Sequence, residues 1–90
     1  MMSLDGIKVG VLMGGVSPER EVSLFSGRQA ALALERNSIN IEEVDIVTAD
    51  KDSVKELIIK KNMQIAFIAL HGEFGEDGQI QAILDELDVP

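Results

Sequence analysis

The sequence has no cysteine, so neither a disulfide framework nor a thiolate metal site can form in it. That composition fits a cytoplasmic location. Tryptophan and tyrosine are missing and only three phenylalanines are present, too few for a base-stacking surface. Basic residues are scarce. Eight Lys and Arg stand against 16 Asp and Glu, for a net charge of −8, which argues against nucleic acid and anionic membrane as partners. The longest apolar runs, GVLMGGV and IAFIAL, fall far short of the roughly 20 residues that span a bilayer. The opening MMSLDG has no basic start and no long apolar core, so it is not a signal peptide. Residues 1–6 read as a leader, in part a cloning remnant.

What is present belongs to a folded globular protein: 46% hydrophobic and 27% charged residues. Ninety residues make one domain at most. A domain this small buries only roughly 60% of the surface its unfolded chain exposes, so its stability is expected to be marginal. The acid is unevenly placed: from His71 to Pro90 there are Glu73, Glu76, Asp77, Asp85, Glu86 and Asp88 but no Lys or Arg. A solvated acidic helix accounts for that excess.

Residues 7–13, IKVGVLM, are apolar at nearly every position and suit a strand covered on both faces. Residues 40–47, NIEEVDIV, are more polar and read as a strand nearer an edge. Residues 65–70, IAFIAL, are apolar throughout and read as a central strand. Ser17-Pro18 predicts a helix start, with Ser17 as N-cap and Pro18 at the first helical position. That helix should run to about Arg36 and end at Asn37-Ser38. Gly27 inside it costs about 1 kcal/mol relative to Ala, which points to close packing against the sheet. Residues 53–61 predict a short helix with its lysines at the C-terminal end. Asp77 is expected to cap a last helix over 78–87, where Ile80, Ile83, Leu84 and Leu87 share a face.

The order β-α-β-α-β-α implies an α/β fold, a parallel sheet with helices on both faces and right-handed crossovers. The doubly wound arrangement gives strand order 2-1-3, and ligands bind at the carboxyl ends of the strands flanking the reversal. The loops GGVSPERE, residues 14–21, and HGEFGEDG, residues 71–78, should then reach one crevice, although about 50 residues separate them.

Gly14-Gly15 is expected to form a tight turn that leaves backbone N–H groups open at a helix start, where anions are favoured. The loop lacks the pattern G-x-G-x-x-G, because Val16 stands where the second glycine is needed, which argues against a nucleotide-binding half-domain. Glu19 falls in the first helical turn, where the dipole favours negative charge. It is either an acid that receives an ammonium group or a surface acid that complements the dipole. Arg20 and Glu21 read as solvated or paired. His71, the only histidine, follows a buried strand at its carboxyl end and is either structural or functional. Glu73, Glu76 and Asp77 read as capping and solvated residues, and no metal site is expected in the chain.

The stretches KVGVLMGGVSPEREVSLFSG and IAFIALHGEFGEDGQIQAILDELDVP resemble the start of the D-alanine–D-alanine ligases, bacterial cytoplasmic ATP-grasp enzymes of peptidoglycan synthesis. The resemblance runs from Ile7 to Pro90 and is thin over Asn37–Met63. It implies a three-layer, Rossmann-like (pre-ATP-grasp) domain with a small parallel sheet. It also implies a reaction in which ATP phosphorylates the carboxylate of one D-alanine and the amine of a second attacks the acylphosphate. Carried over residue by residue, Glu19 matches the acid on the first substrate's ammonium group and Val22 a wall of that subsite. His71 matches the histidine near the first substrate's carboxylate, and Gly14 and Gly15 match the turn that makes room. Glu19 and His71 are thus the catalytic candidates.

The departure from the family is length. Residues 7–90 are expected to form a truncated N-terminal substrate-binding domain that lacks its last strand. ATP and magnesium would be bound by the central and C-terminal domains, which this sequence does not contain. D-alanine and those domains are the expected partners, and a homodimer is a further expectation. Two alternatives remain open from the sequence: a D-alanine–D-lactate ligase fragment, and a stand-alone binding or dimerisation module without catalysis.

Overall fold

The computed structural model describes residues 6–70 and 78–90. Among the described residues six elements follow one another: β1 (Lys8–Gly14), α1 (Arg20–Arg36), β2 (Asn40–Ile46), α2 (Lys51–Lys61), β3 (Ile65–Ile68) and α3 (Gln79–Glu86). The three strands form a parallel sheet in the order β2-β1-β3. Lys8 pairs with Asn40 and Gly14 with Ile46 on one side of β1, and Val9 with Ile65 on the other.

β1 is buried from Val9 onward because it is covered on both faces. Its side chains alternate between the faces, as the pleat requires. Val11 and Met13 meet Ala31 of α1, with Leu24, Ala30 and Leu34 packed around them. Leu12 points the other way. It joins Val44, Ile46, Val54, Ile58, Ile80, Ile83 and Leu84 in the larger core beneath α2 and α3. The layers are therefore one helix, the sheet, and two helices. This is the α/β architecture and the 2-1-3 order expected from the sequence.

α1 can lie close on the sheet because its inward stripe is small: Ser23, Gly27 and Ala31 are the buried residues. A Cβ on Gly27 would stand 2.5 Å from Cβ of Met13. The close approach inferred from a mid-helix glycine is thus real.

Several expectations need correction. β1, not β3, is the central strand. β3 lies at the edge, and its Phe67 is 44% exposed. An apolar run reports what covers a strand's faces and says nothing about its lateral neighbours. α1 begins at Arg20, and Glu19 occupies the cap position. Ser17 instead shapes the turn before the helix. Its hydroxyl accepts from the Glu19 N–H at 3.1 Å and its carbonyl accepts from the Arg20 N–H at 3.1 Å. Ser-Pro chemistry serves a β-turn as well as a helix start. α2 begins two residues earlier than expected, because the Asp50 side chain accepts from the Ser53 N–H at 3.1 Å. α3 runs from Gln79 to Glu86, with Gly78 at φ 86° in its N-cap position. The capping role expected of Asp77 lies outside the described residues.

The chain passes back beside β3 after α3. The Ala66 N–H donates to the Pro90 carbonyl at 2.8 Å. Among the described residues, no helix is long and apolar enough to cross a membrane.

Candidate functional site at the carboxyl end of the sheet

At the end of β1 the backbone turns through two consecutive glycines, with φ of 92° at Gly14 and 84° at Gly15. Side chains are disfavoured there by conformation alone. At Gly14 space also excludes them: a Cβ would collide with the Asp45 carboxylate and lie 2.6 Å from Nη1 of Arg20. At Gly15 a Cβ would lie 3.5 Å from Cδ2 of Leu70. The turn after β1 therefore lies against the last described residue before His71. The turn after β1 and the strand end at Leu70 come together through the adjacency of β1 and β3; the loop expected to meet it lies outside the described residues.

The turn is held by its own backbone. The Gly14 N–H donates to Oγ of Ser23 at 2.9 Å, and the Gly15 N–H donates to the Ile46 carbonyl at 2.7 Å. Both glycine donors are thus engaged, which corrects the expectation that the turn leaves them open for an anion. A phosphate cradle needs several backbone N–H groups directed at the ligand, and these two are directed at the protein.

Arg20 and Ser23 carry most of this fastening. Nη1 and Nη2 of Arg20 donate to the Asp45 carboxylate at 2.9 and 2.8 Å. Nη1 also reaches the carbonyls of Gly15 at 3.1 Å and Ile46 at 3.3 Å. The Asp45 hydrogen bond raises the Arg20 pKa above its ordinary value. Ser23 is fully buried, and its hydroxyl donates to the Ala69 carbonyl at 2.6 Å.

Glu19 is exposed just ahead of α1, and its side chain makes no capping bond. Val22, three residues on and so on the same side of the helix, is 58% exposed. Exposed Val16 and Phe25 continue this apolar surface in sequence. His71 lies outside the described residues, as do Glu73, Glu76 and Asp77. Among the described residues no group of three or more His, Cys, Asp or Glu is placed to hold a metal ion.

The chain is 49% identical over 84 residues to D-alanine–D-alanine ligase of Clostridium botulinum strain 657. It is homologous to the N-terminal region of D-alanine–D-alanine ligases.

The same 84-residue length matches the D-alanine–D-alanine ligase of Carboxydothermus hydrogenoformans at 44% identity. Each match covers 93% of this chain, but only 27% and 26% of the respective ligase. The chain thus spans about a quarter of the length of the curated relatives it matches. No family model matches it. The crystal structure of D-alanine–D-alanine ligase from Bacillus anthracis complexed with ATP superposes with a TM-score of 0.79 at 36% identity. That superposition covers 93% of this chain and 26% of the ligase. The open three-stranded sheet matches the N-terminal domain of those ligase structures.

Ligase resemblance marks Gly14, Gly15, Glu19 and Val22, and all four lie at or beside the turn between β1 and α1. It gives no role to Arg20 or Ser23; the sequence reading took Arg20 as solvated or paired and said nothing of what Ser23 does. A signal for Ser23 was available: it falls on the same helical stripe as Gly27 and Ala31, and a polar residue on a buried face must find a hydrogen-bond partner. Arg20 gave no such signal, because its partners lie 25 and 26 residues away on β2.

Proposed function

We propose that this chain is the N-terminal substrate-binding part of a D-alanine–D-alanine ligase and supplies part of the subsite for the first D-alanine. Glu19 receives the ammonium group, Val22 walls the subsite, and His71 lies near the carboxylate. Gly14 and Gly15 keep the turn low enough for a small amino acid to approach. The whole enzyme joins two D-alanines in the cytoplasm through an acylphosphate formed from ATP. Its ATP and magnesium belong to the central and C-terminal domains of the whole enzyme.

The observation that carries this reading is the contact of the Gly15 turn with Leu70. It sets the turn that precedes Glu19 against the residue that precedes His71 in sequence, in a segment 49% identical to a ligase. The test is steady-state kinetics of a full-length ligase carrying residues 7–90 as its N-terminal segment. Glu19→Gln is expected to raise KM for the first D-alanine about ten- to hundredfold, the usual worth of a charged hydrogen bond in a closed site. KM for ATP should change little. An unchanged KM for D-alanine removes Glu19 from the subsite.

A further inference from the structure

We infer that Ser23 is a positioning residue for this site: its one hydroxyl holds the turn that leads to Glu19 and the end of β3 at a fixed spacing. Serine has a lower helix propensity than alanine. Yet it occupies a fully buried position on a stripe with Gly27 and Ala31, where alanine would pack as well. The polar atom is used instead in two directions. It accepts from the Gly14 N–H at 2.9 Å and donates to the Ala69 carbonyl at 2.6 Å. Gly14 ends β1, and Ala69 follows β3, so one hydroxyl bridges the ends of neighbouring strands.

Arg20, one helical turn earlier, fastens the same end of α1 to β2 through Asp45 and Ile46. The first turn of α1 is thereby tied to the ends of both outer strands, and Glu19 is the residue immediately before it. Ser23 acts on Glu19 only by holding backbone. The kinetic part of this inference rests on the ligase reading; the structural part does not.

Two variants separate hydrogen bonding from packing. Ser23→Ala removes the hydroxyl. Ser23→Cys keeps a small side chain of similar shape but is a weak donor and a weak acceptor. In a full-length ligase carrying residues 7–90, both are expected to raise KM for D-alanine about tenfold or more and to leave KM for ATP within about twofold. In the 90-residue chain, amide exchange at Gly14 should become about tenfold faster in both variants, while Val44 and Ile58 keep their protection. A Ser23→Cys protein with the parent's D-alanine KM and Gly14 protection overturns the inference, as does an equal rise in both KM values. If the Ser23 ligase shows no D-alanine-dependent ADP release, the ligase reading fails, and amide exchange alone judges Ser23. Faster exchange at Gly14 then sustains the bridge, and unchanged exchange overturns it.

Discussion

Arg20 and Asp45 meet end-on through two parallel hydrogen bonds of 2.9 and 2.8 Å, so that the start of α1 is locked to β2 by a planar guanidinium. The pair is partly exposed, and an isolated exposed ion pair stabilises little. Here Arg20 has two further acceptors in the carbonyls of Gly15 and Ile46. Arg20→Ala should therefore lower the thermal midpoint more than Asp45→Ala does. Arg20→Lys should restore only part of the loss, because an ammonium cannot reproduce the fork. Equal midpoints for Arg20→Ala and Asp45→Ala, measured by circular dichroism, would show that the carbonyl contacts are idle.

Gly27→Ala should destabilise the fold even though alanine is the better helix former. The added methyl would meet Cβ of Met13, which is rooted in β1 and cannot swing away as a side-chain tip could. Overpacking of this kind costs roughly 1–3 kcal/mol, against about 1 kcal/mol gained in helix propensity. Met13→Ala should not rescue the variant, because it leaves that Cβ in place. A denaturation midpoint at or above the parent's would contradict the close approach of α1 to β1.

Acid should weaken the fold through at least three carboxylates. The Glu42 pKa is lowered by hydrogen bonds from Lys61 and Lys8, that of Asp50 by the Ser53 hydroxyl and N–H, and that of Glu86 by Lys55. A carboxylate with a depressed folded pKa binds fewer protons folded than unfolded, so stability rises with pH across that interval. Its contribution is complete above the ordinary carboxylate range, around pH 4, and is lost as pH falls through the folded value. Urea midpoints should therefore drop between about pH 6 and pH 3, and Glu42→Gln should flatten the drop. A flat pH profile for the parent contradicts the three assignments together.

The isolated 90-residue chain should release no ADP from ATP above a no-protein control. Phosphoryl transfer depends on groups that position phosphates and metal and stabilise the transferring charge. Among the described residues no group of three or more His, Cys, Asp or Glu is placed to hold the metal. ADP release by the purified chain would place that machinery within these 90 residues.

The same chain should self-associate. β3 is an edge strand with Phe67 exposed, and unpaired strand edges invite a second chain. The Ala66 N–H is already engaged by the Pro90 carbonyl, so association is expected farther along the strand, toward Ile68. Sedimentation at high micromolar concentration checks this, and a clean monomer counts against it.

The sequence by itself determined the element order, the parallel 2-1-3 sheet, the buried faces of β1 and α3 and the close packing at Gly27. Each of these is local or periodic: alternation, helical spacing and the cost of a mid-helix glycine are written along the chain. Its resemblance to the ligases marked Gly14, Gly15, Glu19, Val22 and His71, whose roles remain proposals. Tertiary structure alone decided that IAFIAL forms an edge, because lateral position leaves no trace in composition. It also decided that the Gly14 and Gly15 donors are spent on Ser23 and Ile46, and that Arg20 and Ser23 bind the three strand ends together. Those are hydrogen bonds between residues as many as 46 apart in the chain. Their geometry exists only once β1, β2 and β3 lie side by side.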